Sequence, residues 1–281
     1  MDKKRIKELR LIAQDLRIAG LEMVEKVRSG HIGGAFSLSE ILAVLYFEKM
    51  NIRPDDPDWA DRDRLVMSKG HATVALYPTL AKRGFFPTED LDGFRRITGY
   101  LSGHVEMRHV PGVDMSTGSL GQGLSAALGM AVGARIIGKG FYTYAIIGDG
   151  EMQEGQIWEA LMYAGAHNTN NLIPIIDDNK VQLEMNTEDM LGGYGLADRL
   201  KSFGFNVLSI DGHDVLQIAD AIDTAKAEKG KATAIIANTV KAKGVSFMEN
   251  QCAWHGRTPS DDEFAKAFEE LRQTRLELES A

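Results

Sequence analysis

The chain has 281 residues and a formal net charge of −8 at neutral pH, with 40 Asp and Glu against 32 Lys and Arg. The cations are scattered, so no basic face is offered to a nucleic-acid backbone and nucleic acid is not an expected partner. The one cysteine, Cys252, rules out an internal disulfide and a zinc-type cluster, and the length suffices for a full α/β core within one large domain, residues 1–281.

The first ten residues are charged throughout and lack the apolar stretch of a secretory signal, so a soluble cytoplasmic protein is expected. Ile6, Leu9, Ile12, Ala13, Leu16 and Ala19 fall on one face of a helix, which Ser29-Gly30-His31-Ile32-Gly33-Gly34 ends. A second helix is expected over 41–49, capped by Ser37 or Ser39 and carrying Glu40 in its first turn. Residues 51–63 are polar, contain two prolines and read as a loop. Four apolar runs, 142–147, 172–176, 206–210 and 233–238, have the character of fully buried parallel strands, and 65–68 is a candidate fifth.

Helical patterns occupy 120–137, 156–167, 196–203 and 215–227. The first of these is rich in small residues but is interrupted by Arg135, which suits a buried helix and not a membrane span. Residues 261–281 form a charged C-terminal helical extension, with Phe264, Phe268 and Leu271 at the spacing of a helix packed along one side. Alternating strands and helices imply right-handed crossovers and an α/β fold: a doubly wound parallel sheet with helices on both faces. In such sheets ligands bind beyond the carboxyl ends of the strands.

Chemistry is concentrated at two of those ends. Gly148-Asp149-Gly150 directly follows a buried run, where the glycines allow a tight turn and close approach of a ligand; alone, the tripeptide is equally a strand-to-helix turn with a capping Asp. Thirty residues later, Ile175-Ile176-Asp177-Asp178-Asn179 ends a second run, and the segment between them is long enough for a crossover helix. Adjacent parallel strands then present Asp149 and Asn179 side by side. With the carbonyl of Val181 they supply three oxygen positions for Mg²⁺, leaving two for diphosphate oxygens and one for water.

Ser116-Thr117-Gly118-Ser119-Leu120-Gly121-Gln122-Gly123 precedes the small-residue helix. Its continuation Gly121-Gln122-Gly123-Leu124-Ser125-Ala126 formally matches a dinucleotide fingerprint. That motif belongs after a buried strand, which Val113-Asp114-Met115-Ser116 is not, and no acidic residue follows about twenty positions later. Four of the histidines that lie beside glycine stand out: His31 in Ser-Gly-His-Ile-Gly-Gly, His71 in Ser-Lys-Gly-His-Ala, His104 in Gly-His-Val-Glu and His255 in Trp-His-Gly.

Taken together these segments resemble the thiamine diphosphate enzymes and, more narrowly, the transketolases, from about Ser29 to about Gly256. The family's cofactor motif runs from Gly-Asp-Gly to an Asn about thirty residues on, as Gly148-Asp149-Gly150 and Asn179 do here. The resemblance implies a thiamine diphosphate-binding fold that holds thiamine diphosphate through Mg²⁺, or Ca²⁺ or Mn²⁺ in its place. It implies that Gly118, Leu120, Gly148 and Gly150 touch the cofactor, with His71 and His255 beside it and Lys69 and Lys241 reaching the diphosphate. His31, His71 and His255 would share proton transfers and His104 would contact donor hydroxyls; such groups suit a ketose cleavage that removes and returns a hydroxyl proton near neutral pH.

Glu154, with Glu159, is implied to join a carboxylate network at the subunit boundary, although both positions also suit a helix N-terminus. Where the family usually has proline after the first and third histidines, this chain has Ile32 and Val105. Both replacements remove a φ restraint near the substrate channel, which bears on donor preference.

Transketolases of this kind carry a pyrimidine-binding and a C-terminal domain after this one. The implied protein is therefore the N-terminal subunit of a split transketolase, a transferase that moves a two-carbon ketol unit from a ketose, phosphorylated or not, to an aldose, phosphorylated or not. It would be active only with a separate C-terminal subunit, in an α2β2 assembly. Alternative readings are the α subunit of a 2-oxo acid dehydrogenase, an NAD-binding oxidoreductase using Gly121-Gln122-Gly123, and a non-catalytic regulatory homologue.

Overall fold

The computed structural model describes residues 1–191 and 195–281. It contains one parallel sheet of β1 (Arg64–Met67), β2 (Thr143–Gly148), β3 (Leu172–Asp178), β4 (Asn206–Asp211) and β5 (Thr233–Asn238), in spatial order β1-β2-β3-β5-β4. Helices cover both faces, as the alternation of apolar runs requires. Successive strand residues point to opposite sides: Leu65, Met67, Tyr144, Ile146, Ile173 and Ile175 enter one core, while Val66, Ala145, Ile147, Leu172 and Ile176 enter the other.

The first core is closed by α1 (Lys3–Val27), α2 (Gly33–Phe36), α3 (Ser39–Val44), α4 (Thr73–Arg83), and later α9 (Val215–Ala227) and α10 (Asp261–Ser280). The second is closed by α5 (Gln122–Ile136), α6 (Gly155–Ala166) and α8 (Leu196–Ser202), with the short α7 (Thr187–Leu191) preceding α8. Among the described residues no helix is long and apolar enough to cross a membrane.

Three expectations need correction. β4 is not fully buried: it lies at the sheet edge, paired only with β5, and alternates between half-buried and exposed residues. The small-residue helix α5 is buried along one side only, through Leu124, Ala127, Ala131 and Ala134, while Ile136 and Ile137 are 79% and 67% exposed. Third, residues 41–49 are not one capped helix. The chain makes α2, restarts as α3 without a side-chain cap, and ends in a π-helical turn over Leu45–Lys49.

The would-be caps have other partners. The Ser37 hydroxyl donates to Asp177 Oδ2 at 2.7 Å. Ser39 is the first residue of α3, and Glu40 forms a buried ion pair with Arg17, at 2.5 Å, and bonds His213 Nδ1 at 2.9 Å. The C-terminal helix does pack along one side: Phe264, Phe268 and Leu271 are buried, and Gln14 of α1 donates to the Leu271 carbonyl at 2.7 Å. A capping box between Ser260 and Glu263 starts this helix.

Candidate active site

β2 and β3 run in register so that Gly148 pairs with Asp177, which brings the two strand exits level. Beyond β2, Asp149 Oδ1 accepts the Gly150 N–H at 2.8 Å. Its Oδ2 is buried without a hydrogen-bond partner among the described residues. Burial, followed by the charges of Asp177 and Asp178, pushes this carboxyl up to about 7. Beyond β3, Asn179 Nδ2 donates to Asp177 Oδ2 at 3.0 Å and its Oδ1 accepts the Val181 N–H at 3.1 Å, which fixes the sense of the amide.

Asp149, Asn179 and Val181 line a common cleft with Leu120, Gly148 and Gly150. These residues fit a hard divalent cation. Among the described residues a buried carboxylate oxygen lacks a hydrogen-bond partner, and an amide and a carbonyl oxygen are at hand. Among the described residues no three His, Cys, Asp or Glu side chains converge as a complete metal site, so a cation here would rely on oxygens brought by the ligand it holds.

Two lysines border the same cleft with their ammonium groups already engaged. Lys69, 3% exposed, pairs with Asp177 and donates to the Gly34 carbonyl at 2.7 Å. Lys241, 1% exposed, donates to the Val181 and Gln182 carbonyls at 2.9 and 2.8 Å. Burial and then Lys69 lower Lys241 to about 8. The cation of Lys241 thus already rests on one of the three oxygens expected to face a metal, and a diphosphate would compete with these carbonyls for Lys241 and share Lys69 with Asp177 and Gly34.

The structure brings all four of the singled-out histidines together. Ring centroids of His31 lie 5.1 Å from His71, 5.6 Å from His255 and 6.0 Å from His104, and His71 lies 5.1 Å from His255. The glycines beside them admit this crowding. A Cβ on Gly33 would stand 2.8 Å from the Trp254 carbonyl, and one on Gly118 would stand 3.3 Å from the His104 ring.

Burial is the first cause of a lowered proton affinity in every member of the cluster. With Arg95 and His104 it takes His31 to about 4; with Lys69 and its fellow imidazoles it takes His71 to about 2. With Lys241 it takes His255 to about 4, and with Arg95 it lowers His104. All four are therefore neutral at pH 7, each with a ring nitrogen able to take a proton. Lys241 Nζ lies 3.3 Å from His255 Nδ1, an arrangement in which Nδ1 accepts.

Glu154 and Glu159 lie outside the cluster and are exposed. A short 3₁₀ turn, Glu151–Gln153, intervenes after the Gly148–Gly150 turn, so Glu154 precedes α6 instead of lying within its first turn. Gly121 has φ 88° and precedes α5 at the end of a loop, not after a strand, so Gly121-Gln122-Gly123 lacks the strand-first setting of a dinucleotide fingerprint.

Three residues escaped the sequence reading. Asp177 is wholly buried and accepts from Lys69, Ser37, Asn179 and Thr239; burial raises its carboxyl, but Lys69 outweighs this and holds it below the ordinary range. Glu151 is buried beside the Gly148–Gly150 turn. Arg95 reaches the Ser29 hydroxyl and the Gly103 carbonyl and sets a positive charge beside His31 and His104. An acidic residue at the end of an apolar run was a usable signal for Asp177, whereas nothing local distinguishes Arg95 from any loop arginine.

Known proteins bear on this geometry directly. The family described as "Transketolase, thiamine diphosphate binding domain" matches residues 8–274. A 6-deoxy-6-sulfo-D-fructose transketolase subunit from Clostridium sp. (strain MSTE9) is 44% identical over 261 residues, 93% of this chain and 95% of that one. One of the apulose-4-phosphate transketolase subunits, from Phocaeicola vulgatus, is 37% identical, covering 98% and 97% of the two chains. Among solved structures, transketolase from Campylobacter jejuni superposes with a TM-score of 0.88 at 33% identity, over 96% of this chain and 45% of that one. The chain likewise spans 41% of the length of Rattus norvegicus transketolase, at 37% identity. Matched by the family model over residues 8–274 and by relatives along nearly their whole length, this chain belongs to the transketolase family.

Proposed function

We propose that this chain is the diphosphate-binding subunit of a thiamine diphosphate-dependent transketolase that moves a two-carbon ketol unit from a ketose to an aldose. One observation carries the reading: four neutral imidazoles gather beside a cleft that holds a buried Asp149 oxygen without a hydrogen-bond partner among the described residues. Asp149, Asn179 and the Val181 carbonyl would hold Mg²⁺, or Ca²⁺ or Mn²⁺ in its place, and the diphosphate through it. Gly118, Leu120, Gly148 and Gly150 would wall the cofactor. When bound, thiamine diphosphate would supply the carbanion chemistry of ketol transfer. The protein's own part is to take a hydroxyl proton on a neutral imidazole of His31, His71 or His255, to return it in the reverse step, and to hold donor hydroxyls at His104.

A separate polypeptide carrying the pyrimidine-binding and C-terminal domains would complete the site, in an α2β2 assembly with Glu154 at the boundary. Two relatives named as subunits, each matched over nearly its whole length, support that partner. Their names also support a sulfonated or phosphorylated ketose as donor, over a role confined to the pentose phosphate pathway. Residues 1–281 would act as one diphosphate-binding domain with 261–281 as an extension, in the cytoplasm, where a lone thiol stays reduced.

Reconstitution tests the reading. The chain is combined with the transketolase C-terminal-half protein encoded beside it, Mg²⁺ and thiamine diphosphate, and glycolaldehyde transfer is followed from fructose 6-phosphate, xylulose 5-phosphate, 6-deoxy-6-sulfofructose and apulose 4-phosphate. Transfer by the pair alone is expected. Full transfer by the chain without a partner would overturn the split assembly, and absence of cofactor binding by the pair would overturn the function.

A further inference from the structure

Glu151 has no role in the cofactor reading, yet it is among the best-satisfied carboxylates in the molecule. It is 3% exposed. Its Oε1 accepts the Ser68 hydroxyl at 2.5 Å and the Gly121 N–H at 2.9 Å, and its Oε2 accepts the Gly148 N–H at 3.1 Å. The three donors come from three separate stretches of chain: the exit of β1, the loop before α5, and the exit of β2. All three border the cleft, through Lys69 and His71, Leu120, and Asp149 respectively.

The same three stretches touch at distances that leave no room for slack. A Cβ on Gly70 would fall 2.5 Å from the Thr117 carbonyl carbon and oxygen, and one on Gly123 would fall 2.6 Å from the Ser68 hydroxyl. Gly121, at φ 88°, turns the loop so that its N–H faces inward. A buried backbone N–H left without an acceptor is destabilising. Without the Glu151 carboxylate, the Gly121 and Gly148 N–H groups would both lose their acceptor, and the loop before α5 would lose its hydrogen bond to the strand exits.

We propose that Glu151 is a positioning residue that fastens the Gly118–Gln122 loop to the β1 and β2 exits, so that the wall around the diphosphate is assembled before the cofactor arrives. This rests on the cofactor reading above. Glu151 touches neither the expected metal ligands' oxygens nor the imidazoles; it acts through Gly148 on one side and Gly121 on the other. A glutamine there keeps the shape but replaces one acceptor oxygen with an NH₂ group, which must face an N–H or hydroxyl donor.

The test uses the full chain with its partner subunit. Titration with thiamine diphosphate at saturating Mg²⁺ is read by calorimetry, and amide hydrogen exchange is read at Gly121 and Gly148. Glu151→Gln is expected to weaken cofactor binding about 10-fold, as loss of a ligand-orienting partner does, and to speed exchange at Gly121 and Gly148 while β3 and α9 keep their protection. At saturating cofactor its kcat should stay within about twofold of wild type. Ser68→Ala, which keeps the carboxylate and removes one donor, should give a smaller shift in the same direction and secures the test if Glu151→Gln folds poorly.

Unchanged affinity in both variants, with wild type binding normally, overturns the positioning role alone. Faster exchange spread through the whole sheet also overturns it, since that marks a general stabilising residue. If the wild-type pair binds no thiamine diphosphate, the cofactor reading fails and this inference falls with it.

Discussion

At the strand-exit side of the cleft almost every polar atom has a partner, whereas the histidine side is a group of rings packed against one another with few hydrogen bonds. Asp177 and Glu151 together accept from seven donors spread over six chain segments. Among the described residues the imidazoles have only the Lys241 contact to His255, and His31 Nδ1 is buried without a partner. The contrast is chemical. A site that holds a charged diphosphate gains from groups fixed before the ligand arrives, while groups that exchange protons need free lone pairs and a low cost of staying neutral.

The largest effect should come from breaking the rigid side at Asp149. Asp149→Ala removes the carboxylate whose Oδ2 lacks a partner, and Mg²⁺-dependent binding of thiamine diphosphate, measured by calorimetry on the reconstituted pair, should weaken by at least about 100-fold. Binding retained within a few-fold would mean that the strand exits do not hold the metal.

The loose side should respond differently. His71→Ala should lower kcat by about 100-fold or more, the usual scale for a general acid–base group, and leave cofactor affinity nearly intact. If both constants fell together, the two sides would not be separable in function.

A third measurement asks what the network under the cleft contributes to stability. Glu40 is held at about 2 against an ordinary value of 4.5; burial raises it, but Arg17 and His213 outweigh burial. A carboxyl depressed in the folded state stabilises fully above its unfolded pKa, and that contribution is lost as pH falls through the folded value. The chain should therefore lose stability between about pH 4.5 and 2, and Glu40→Gln should be flatter there while costing about 3 kcal/mol at pH 7, because it leaves Arg17 unpaired. Denaturant melts at both pH values check this.

The histidines add a milder slope at higher pH. His31 titrates at about 4 when folded against 6.5 ordinarily, so the unfolded chain binds more protons between those values and folding weakens as pH drops from 6.5 toward 4. In thermal melts His31→Asn should flatten that part of the curve; an unchanged slope would mean that the cluster is not buried as described.

The smallest effect belongs to Val105, one of the two positions where the family's proline is absent. Its N–H donates to the Gly70 carbonyl at 3.1 Å and its carbonyl accepts the Thr117 N–H at 3.2 Å, which ties the His104 loop to the His71 loop. Val105→Pro removes the first bond and should cost about 1 kcal/mol, with any change in donor preference read from kcat/KM across ketoses.

Much of this arrangement was legible before folding. Apolar runs such as Tyr144 to Ile147 and Leu172 to Ile176 announce strands covered on both faces, and Asp149 and Asn179 stand where such strands stop. His31, His71, His104 and His255 pointed to one another through the segments they lie in, although more than two hundred residues separate His31 from His255. Other features were hidden because their signals are not local. Nothing around residues 206–210 says that this strand ends up at the sheet edge; its neighbours in space decide that. Ser37 has the look of a helix cap, and only the approach of Asp177, 140 residues away, gives it a different partner.

By itself, then, the sequence determined the strands, their parallel winding, the longer helices between them and the residue types at the strand exits, because hydrophobic period and turn chemistry are set by neighbours along the chain. The tertiary structure decided the protonation of the histidines, the engagement of Lys69 and Lys241 by protein oxygens, and the burial of Asp177 and Glu151 among their donors. Those properties depend on desolvation and on charges contributed by distant segments, and they take definite values only when the segments are packed together.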